Sequence, residues 1–93
     1  MPDRSWTIDV VIMPKPGVND PEGEAILGGL HSLGYAEVGR VRSGKTIHLE
    51  ILAPNEETAR ARASEMAEKL LANPVIEVFD VVVSGQSTSG ATA

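Results

Sequence analysis

The chain has no cysteine, so disulfides and thiolate-bound metal are excluded outright. Basic side chains are in the minority, 8 against 13 acidic ones, leaving a net charge of −5. Nucleic acid, whose phosphates call for a concentrated basic surface, is a poor partner for such a chain. An anionic membrane surface is disfavoured for the same reason. No apolar run approaches the ~20 residues that span a bilayer. The start, Met1-Pro2-Asp3-Arg4-Ser5, lacks the apolar core of a secretory signal, so a cytoplasmic location is expected.

Chemistry-bearing patterns are equally scarce. The two histidines, His31 and His48, fall on different predicted elements, whereas zinc wants three or four convergent ligands. Serine, histidine and aspartate are all present, but without nucleophile-elbow spacing. Arg42-Ser43-Gly44-Lys45 carries a glycine and a lysine without the full phosphate-loop pattern, and a turn between strands explains it better. Lys15-Pro16-Gly17 precedes a helix start, a place where anions can bind. Pro21 removes one donor there, and Glu22 and Glu24 repel anions, so a rigid turn is the better reading. No acidic pair is spaced for catalysis. Catalytic, cofactor-binding and metal-ligating residues are therefore assigned to none of the chain.

What remains is an ordinary globular composition, 42% apolar and 23% charged in 93 residues, enough for one domain. Trp6, Ile8, Val10 and Ile12 share one face at period two and predict a strand over 6–13. Asp20 is placed to cap a helix opened by Pro21, with Glu22 and Glu24 complementing its dipole. Ile26, Leu30 and Leu33 give that helix an apolar stripe, and Gly34 is placed to end it in the left-handed conformation. Residues 37–42 and 45–51 read as two strands joined at Ser43-Gly44 in a hairpin, with a bulge in the first, where Val38 and Val41 fall out of phase around Gly39.

Asn55 caps a second helix that Asn73-Pro74 stops. Its stripe is Ala59, Ala63, Met66, Ala67, Leu70 and Leu71, with Glu56–Arg60 and Glu65–Lys69 as i,i+4 pairs. A last strand covers 75–83, and residues 84–93, rich in Gly, Ser, Thr and Ala, read as a flexible tail. The order β-α-β-β-α-β predicts an α+β fold of ferredoxin-like plan: a four-stranded antiparallel sheet with two helices on one face, forming a single domain over 1–83. Val11, Met13, Val78 and Val82 then lie on the bare sheet face, an apolar surface through which the domain would self-associate.

Several strings are more specific. Lys15-Pro16-Gly17-Val18, then Asp20-Pro21 and Gly23, lead to Leu30-His31-Ser32-Leu33-Gly34-Tyr35. Val38, Val41-Arg42, Gly44-Lys45 and Leu49-Glu50 follow, and helix two closes on Lys69-Leu70-Leu71-Ala72-Asn73-Pro74-Val75-Ile76-Glu77. In order and spacing, from about residue 6 to 83, the chain resembles PurS, the small subunit of phosphoribosylformylglycinamidine synthase. The resemblance implies a non-catalytic subunit in purine biosynthesis, within a complex that converts formylglycinamide ribonucleotide, glutamine and ATP to the amidine, glutamate, ADP and phosphate. It implies three partners: itself, as homodimer or homotetramer, the large synthetase subunit that uses ATP and Mg, and the glutaminase subunit. In that family the small subunit bridges the other two and supports ammonia transfer, with no cofactor of its own. None of the matching motifs is catalytic; they map to joints of the fold. Arg42 and Lys45, cations expected at the hairpin tip, are the candidate contacts to partner subunits.

Two other classes are weighed. A dimeric metabolite-binding regulator of ferredoxin-like fold would be favoured by a bound small molecule or by a basic pocket from Lys15, Arg40 and Arg42. A small acylphosphatase-type enzyme needs an arginine in the loop after strand one, where this chain has Pro-Lys-Pro-Gly.

Overall fold

The computed structural model describes residues 3–86. The elements in chain order are β1 (Arg4–Pro14), α1 (Pro21–Ser32), β2 (Lys45–Ala53), α2 (Glu56–Met66), a π-helical turn (Ala67–Leu71) and β3 (Glu77–Gln86). The strands make one antiparallel sheet in the order β2-β1-β3.

The period-two reading of β1 holds. Ile8, Val10 and Ile12 are fully buried beneath α2 and the π-helical turn, whose Ala59, Ala63 and Ala67 are buried too. Alanine at every fourth position lets the helix axis approach the sheet closely, so the larger β-face side chains fill the core. Trp6 packs at its margin and donates its indole Nε1–H to Ala53 O at 3.0 Å. Phe79, Val81 and Val83 line the same side of β3, in the predicted phase. The bulge sits between Thr7 and Ile8 against β3, not in the 37–42 stretch.

The helix caps also hold. Asp20 Oδ1 accepts from Gly23 N at 3.0 Å, and Asn55 Oδ1 accepts from Thr58 N at 2.8 Å. Gly34 takes φ 102°, a left-handed conformation that suits glycine. Gly34 N then bonds His31 O and Tyr35 N bonds Leu30 O, both at 3.0 Å, which closes α1 in a Schellman motif.

Four expectations are corrected. Among the described residues the sheet has three strands, not the four of the ferredoxin-like plan, because no hairpin forms at Ser43-Gly44. Among the described residues only Gly17 and Gly34 have positive φ, so the chain does not reverse at Gly44 as a two-residue hairpin requires. It runs on into β2 instead. Second, α1 stands off the sheet rather than packing beside α2. Within it only Gly23 is buried, while Ile26 is 45% and the following Leu33 75% exposed. Third, the π-helical turn, closed by Ala72 N to Ala67 O at 2.9 Å, carries Leu70 out to 84% exposure and tucks Leu71 against the core. The same widening leaves Glu65 paired with Arg62 at 3.1 Å instead of Lys69, whereas Arg60–Glu56 forms as read. Finally, Val75 and Ile76 lie in a turn and β3 runs to Gln86. Residues 84–86 of the expected tail thus belong to the strand, and 87–93 lie outside the described residues.

Candidate functional site: the junction at the end of β1

The strings singled out in the sequence, distant along the chain, converge at the C-terminal end of β1. Lys15 N donates to Ile76 O at 2.8 Å, joining the Lys-Pro-Gly loop to the Asn-Pro-Val-Ile-Glu turn. That turn is knotted around Asn73. Asn73 N bonds Glu77 Oε1 at 2.7 Å, Asn73 Oδ1 accepts from Val75 N at 3.0 Å, and Asn73 O accepts from Glu77 N at 2.7 Å. Arg42 reaches in from the segment before β2 and donates Nη2 to Pro14 O at 3.0 Å and Lys15 O at 2.9 Å.

Asp20 is the pivot. Its Oδ1 caps α1 and its Oδ2 accepts Ser43 N at 2.7 Å. One carboxylate therefore fixes both the helix start and the strand-ward segment. Ser43 Oγ donates in turn to Glu22 Oε1. The Ser43 N–H bond above all, then that from Gly23 N–H and the positive charge of Arg42, hold the Asp20 carboxyl below its ordinary pKa of 3.8. Because the folded pKa is depressed, the stabilisation is fully present above pH 3.8 and is lost as pH falls through the lower folded value. Asp20→Ala is expected to lower the thermal midpoint at neutral pH. Asp20→Asn is expected to lower it less and to flatten the loss of stability below about pH 4. Thermal unfolding across that range checks both, and an unchanged acid limb in the asparagine variant would contradict the assignment.

Two glycines make the junction possible by having no side chain. A Cβ on Gly23 would meet the Asp20 carboxylate and stand 2.7 Å from Val41 O. A Cβ on Gly44 would run into Met13 Sδ and the carbonyl of Ile12. Sequence reasoning gave Gly44 a turn; its use is close approach.

The hollow formed by Gly17, Asp20, Glu24, Leu27, Arg40 and Arg42 mixes acids with the arginines. Arg42 is already engaged by two carbonyls, so the basic pocket that would favour a metabolite regulator is not assembled there. His31 and His48 lie apart in function: His31 Nε2 donates to Val38 O, and His48 pairs with Asp9, both at 2.7 Å. Among the described residues no three histidine, aspartate or glutamate side chains are grouped to hold a metal. No helix among them is long and apolar enough to cross a membrane.

Of the candidate contact residues, Lys45 is exposed at the start of β2, while Arg42 is half-buried in its clamp. On the sheet face away from α2, Val78 and Val82 are 47% and 48% exposed. Val11 and Met13 are half-buried beside them, with Met13 paired to Val78 and Asp9 to Val82. The four expected residues thus share a face, interrupted by Asp80 opposite Val11.

The same strings recur in known proteins. The PurS family model, described as phosphoribosylformylglycinamidine (FGAM) synthase, matches residues 7–85. The chain belongs to the PurS family. It is 47% identical over 74 residues to the phosphoribosylformylglycinamidine synthase subunit PurS of Archaeoglobus fulgidus, covering 80% of this chain and 92% of that protein. Against the Thermotoga maritima PurS it is 40% identical over 81 residues, covering 87% and 96%. Solved structures agree. PurS of Methanocaldococcus jannaschii superposes with a TM-score of 0.77 at 39% identity, over 86% of this chain and 96% of that one. The matching chain in the structure of PurLQS from Thermotoga maritima gives 0.79 at 35% identity, over 89% and 99%. As a PurS chain it is a subunit of phosphoribosylformylglycinamidine synthase, a ligase complex of purine biosynthesis.

Proposed function

We propose that this chain is a non-catalytic assembly subunit that bridges the glutaminase and synthetase subunits and supports ammonia transfer between them. The observation that carries this is where its large apolar side chains sit. Ile26, Leu33 and Tyr35 around α1, and Val78 and Val82 on the open sheet face, are each between 45% and 75% exposed. A domain this small does not present so much apolar surface without partners to cover it.

The polar residues of the junction, meanwhile, are engaged in holding loops together. Glutamine hydrolysis, and the ATP and Mg that drive amidine formation, belong to the partner subunits in this reading. The compartment is the cytoplasm. Val11, Met13, Val78 and Val82 form a self-association face, and Lys45, with Arg42 behind it, contacts a partner subunit.

Light scattering tests the assembly. The chain alone should weigh as a multimer, and with its cognate synthetase, glutaminase, glutamine and ATP-Mg it should enter a three-component complex. Lys45→Glu should weaken that complex without disturbing the Arg42 clamp. A chain that joins neither partner would overturn the proposal, and a complex indifferent to charge reversal would remove Lys45 from it.

A further inference from the structure

β3 pairs with β1 alone, so its other side is a free edge. Which backbone groups it turns outward follows from their partners. Ile76 O accepts from Lys15 N, on the β1 side. Glu77 N donates to Asn73 O, and Val81 O accepts from Arg60 Nη1 at 3.0 Å, both away from β1. Bonded and non-bonded pairs alternate along an antiparallel ladder, so the odd residues Glu77, Phe79 and Val81 aim their N–H and C=O outward. The Asn73 turn covers this edge at Glu77. Arg60, braced by Glu56 at 3.1 Å, covers it at Val81. Between these two covers Phe79 is left with both backbone groups open. Bare edge groups are a template for another extended chain.

Beside Phe79 lies a hollow of about 290 Å³, lined by Glu68, Ala72, Pro74, Glu77, Val78 and Phe79. No cation lines it. Glu68 is exposed and has no hydrogen-bond or ion-pair partner among the described residues, and Glu77 has one carboxylate oxygen engaged by Asn73 N. The rest of the lining is apolar, and the residues next to it in the chain, Leu70 and Val75, are 84% and 77% exposed. Phe79 turns its ring to the side of the sheet where Ala67 and Ala72 pack, and a residue directly opposite it shows its side chain on that same side. A segment pairing at Phe79 therefore delivers one side chain into the hollow. Its next side chain on that face comes two residues along, opposite Glu77. The chemistry fits a large apolar residue at the first position and lysine or arginine at the second.

We propose that β3 takes an extended segment of a partner subunit onto its free edge at Phe79, with an apolar side chain in the hollow and a cation against Glu68 and Glu77. The proposal rests on the bridging reading and deepens it. Lys45, at the start of β2, and the hollow beside β3 stand on opposite edges of one sheet, so one chain can hold two partners at once. Two nearer occupants do not fit. The residues after Gln86 contain no lysine or arginine and no side chain larger than threonine. A second copy brings the same acidic edge, carboxylate against carboxylate.

Hydrogen exchange on the full chain, read at single amides, tests the pairing, with the cognate synthetase and glutaminase subunits added singly and together. One of them should slow exchange of the Phe79 amide about tenfold or more, because an open N–H becomes bonded. Glu68→Lys should weaken binding of that same subunit about tenfold or more, and Glu68→Gln less, with the mass of the chain alone unchanged. A complex in which Phe79 exchanges as fast as before, or which takes Glu68→Lys as well as the parent, would overturn the edge docking while leaving the bridging reading in place. A Phe79 amide already slow in the chain alone would overturn it as well. Slowing that grows with concentration would give the edge to a second copy, and slowing lost on truncation after Gln86 would give it to the chain's own end. A chain that binds neither subunit would overturn both readings.

Discussion

Gly44→Ala is expected to destabilise the domain by about 1–3 kcal/mol, the usual cost of forcing a methyl into a filled site. For a chain of this length that lowers the unfolding midpoint by roughly 5–20 °C. The methyl would meet the Ile12 carbonyl and Met13 Sδ. The carbonyl belongs to the central strand and cannot swing aside as a side chain would. The same position separates two accounts of the glycine. Were it a turn residue with positive φ, asparagine would be well tolerated. As a close-approach residue it should tolerate asparagine no better than alanine. Gly34 supplies the control, since its φ of 102° comes with open space around it. There asparagine should be the better replacement. Chemical denaturation of the four variants checks this, and a Gly44→Asn chain as stable as the parent would restore the hairpin.

Ile8→Ala should cost about 2–5 kcal/mol, a large part of the ~5–15 kcal/mol by which a domain is stable at all. Ile8 is fully buried between Ala59 and Ala63 of α2 and the neighbouring strands. The alanines are already as small as they can be, so the surroundings have little to collapse with. The matched substitution Leu33→Ala removes a similar side chain from a site 75% exposed. It should leave the stability of the isolated chain within about 0.5 kcal/mol. Its effect should appear instead in association, because α1 is apolar on a side that its own sheet does not cover. Equal losses in both variants, measured by urea unfolding at low protein concentration, would contradict this division of the apolar residues.

That division also marks how far the sequence could be read. The alternation Ile8-Val10-Ile12, the caps Asp20 and Asn55 and the helix stop at Gly34 are local signals, each with one physical solution. They appeared in the structure as read. The misreadings share a cause. Gly44 is as good a residue for a turn as for a crowded backbone contact, and its neighbours Met13 and Ile12, far upstream in the chain, decide which. The Ile26-Leu30-Leu33 stripe says that a helix has an apolar side, without saying whether the cover is its own sheet or another chain. The π-helical turn changes which of Leu70 and Leu71 faces in, and neighbouring leucines carry no signal for that. At the junction, the resemblance marked Lys15, Asp20, Arg42 and Asn73 as belonging to one pattern. Only the fold shows that they are one cluster, with Asp20 serving the helix and the segment before β2 at once.

The central claim is that this chain joins two chemistries rather than performing one. Amidine formation by the cognate synthetase and glutaminase should be measured with and without the chain, once with glutamine and once with free ammonia as nitrogen source. The account predicts that glutamine-dependent formation falls sharply when the chain is left out, while ammonia-dependent formation by the synthetase persists. Glutamine-dependent formation that proceeds equally well without the chain would contradict it.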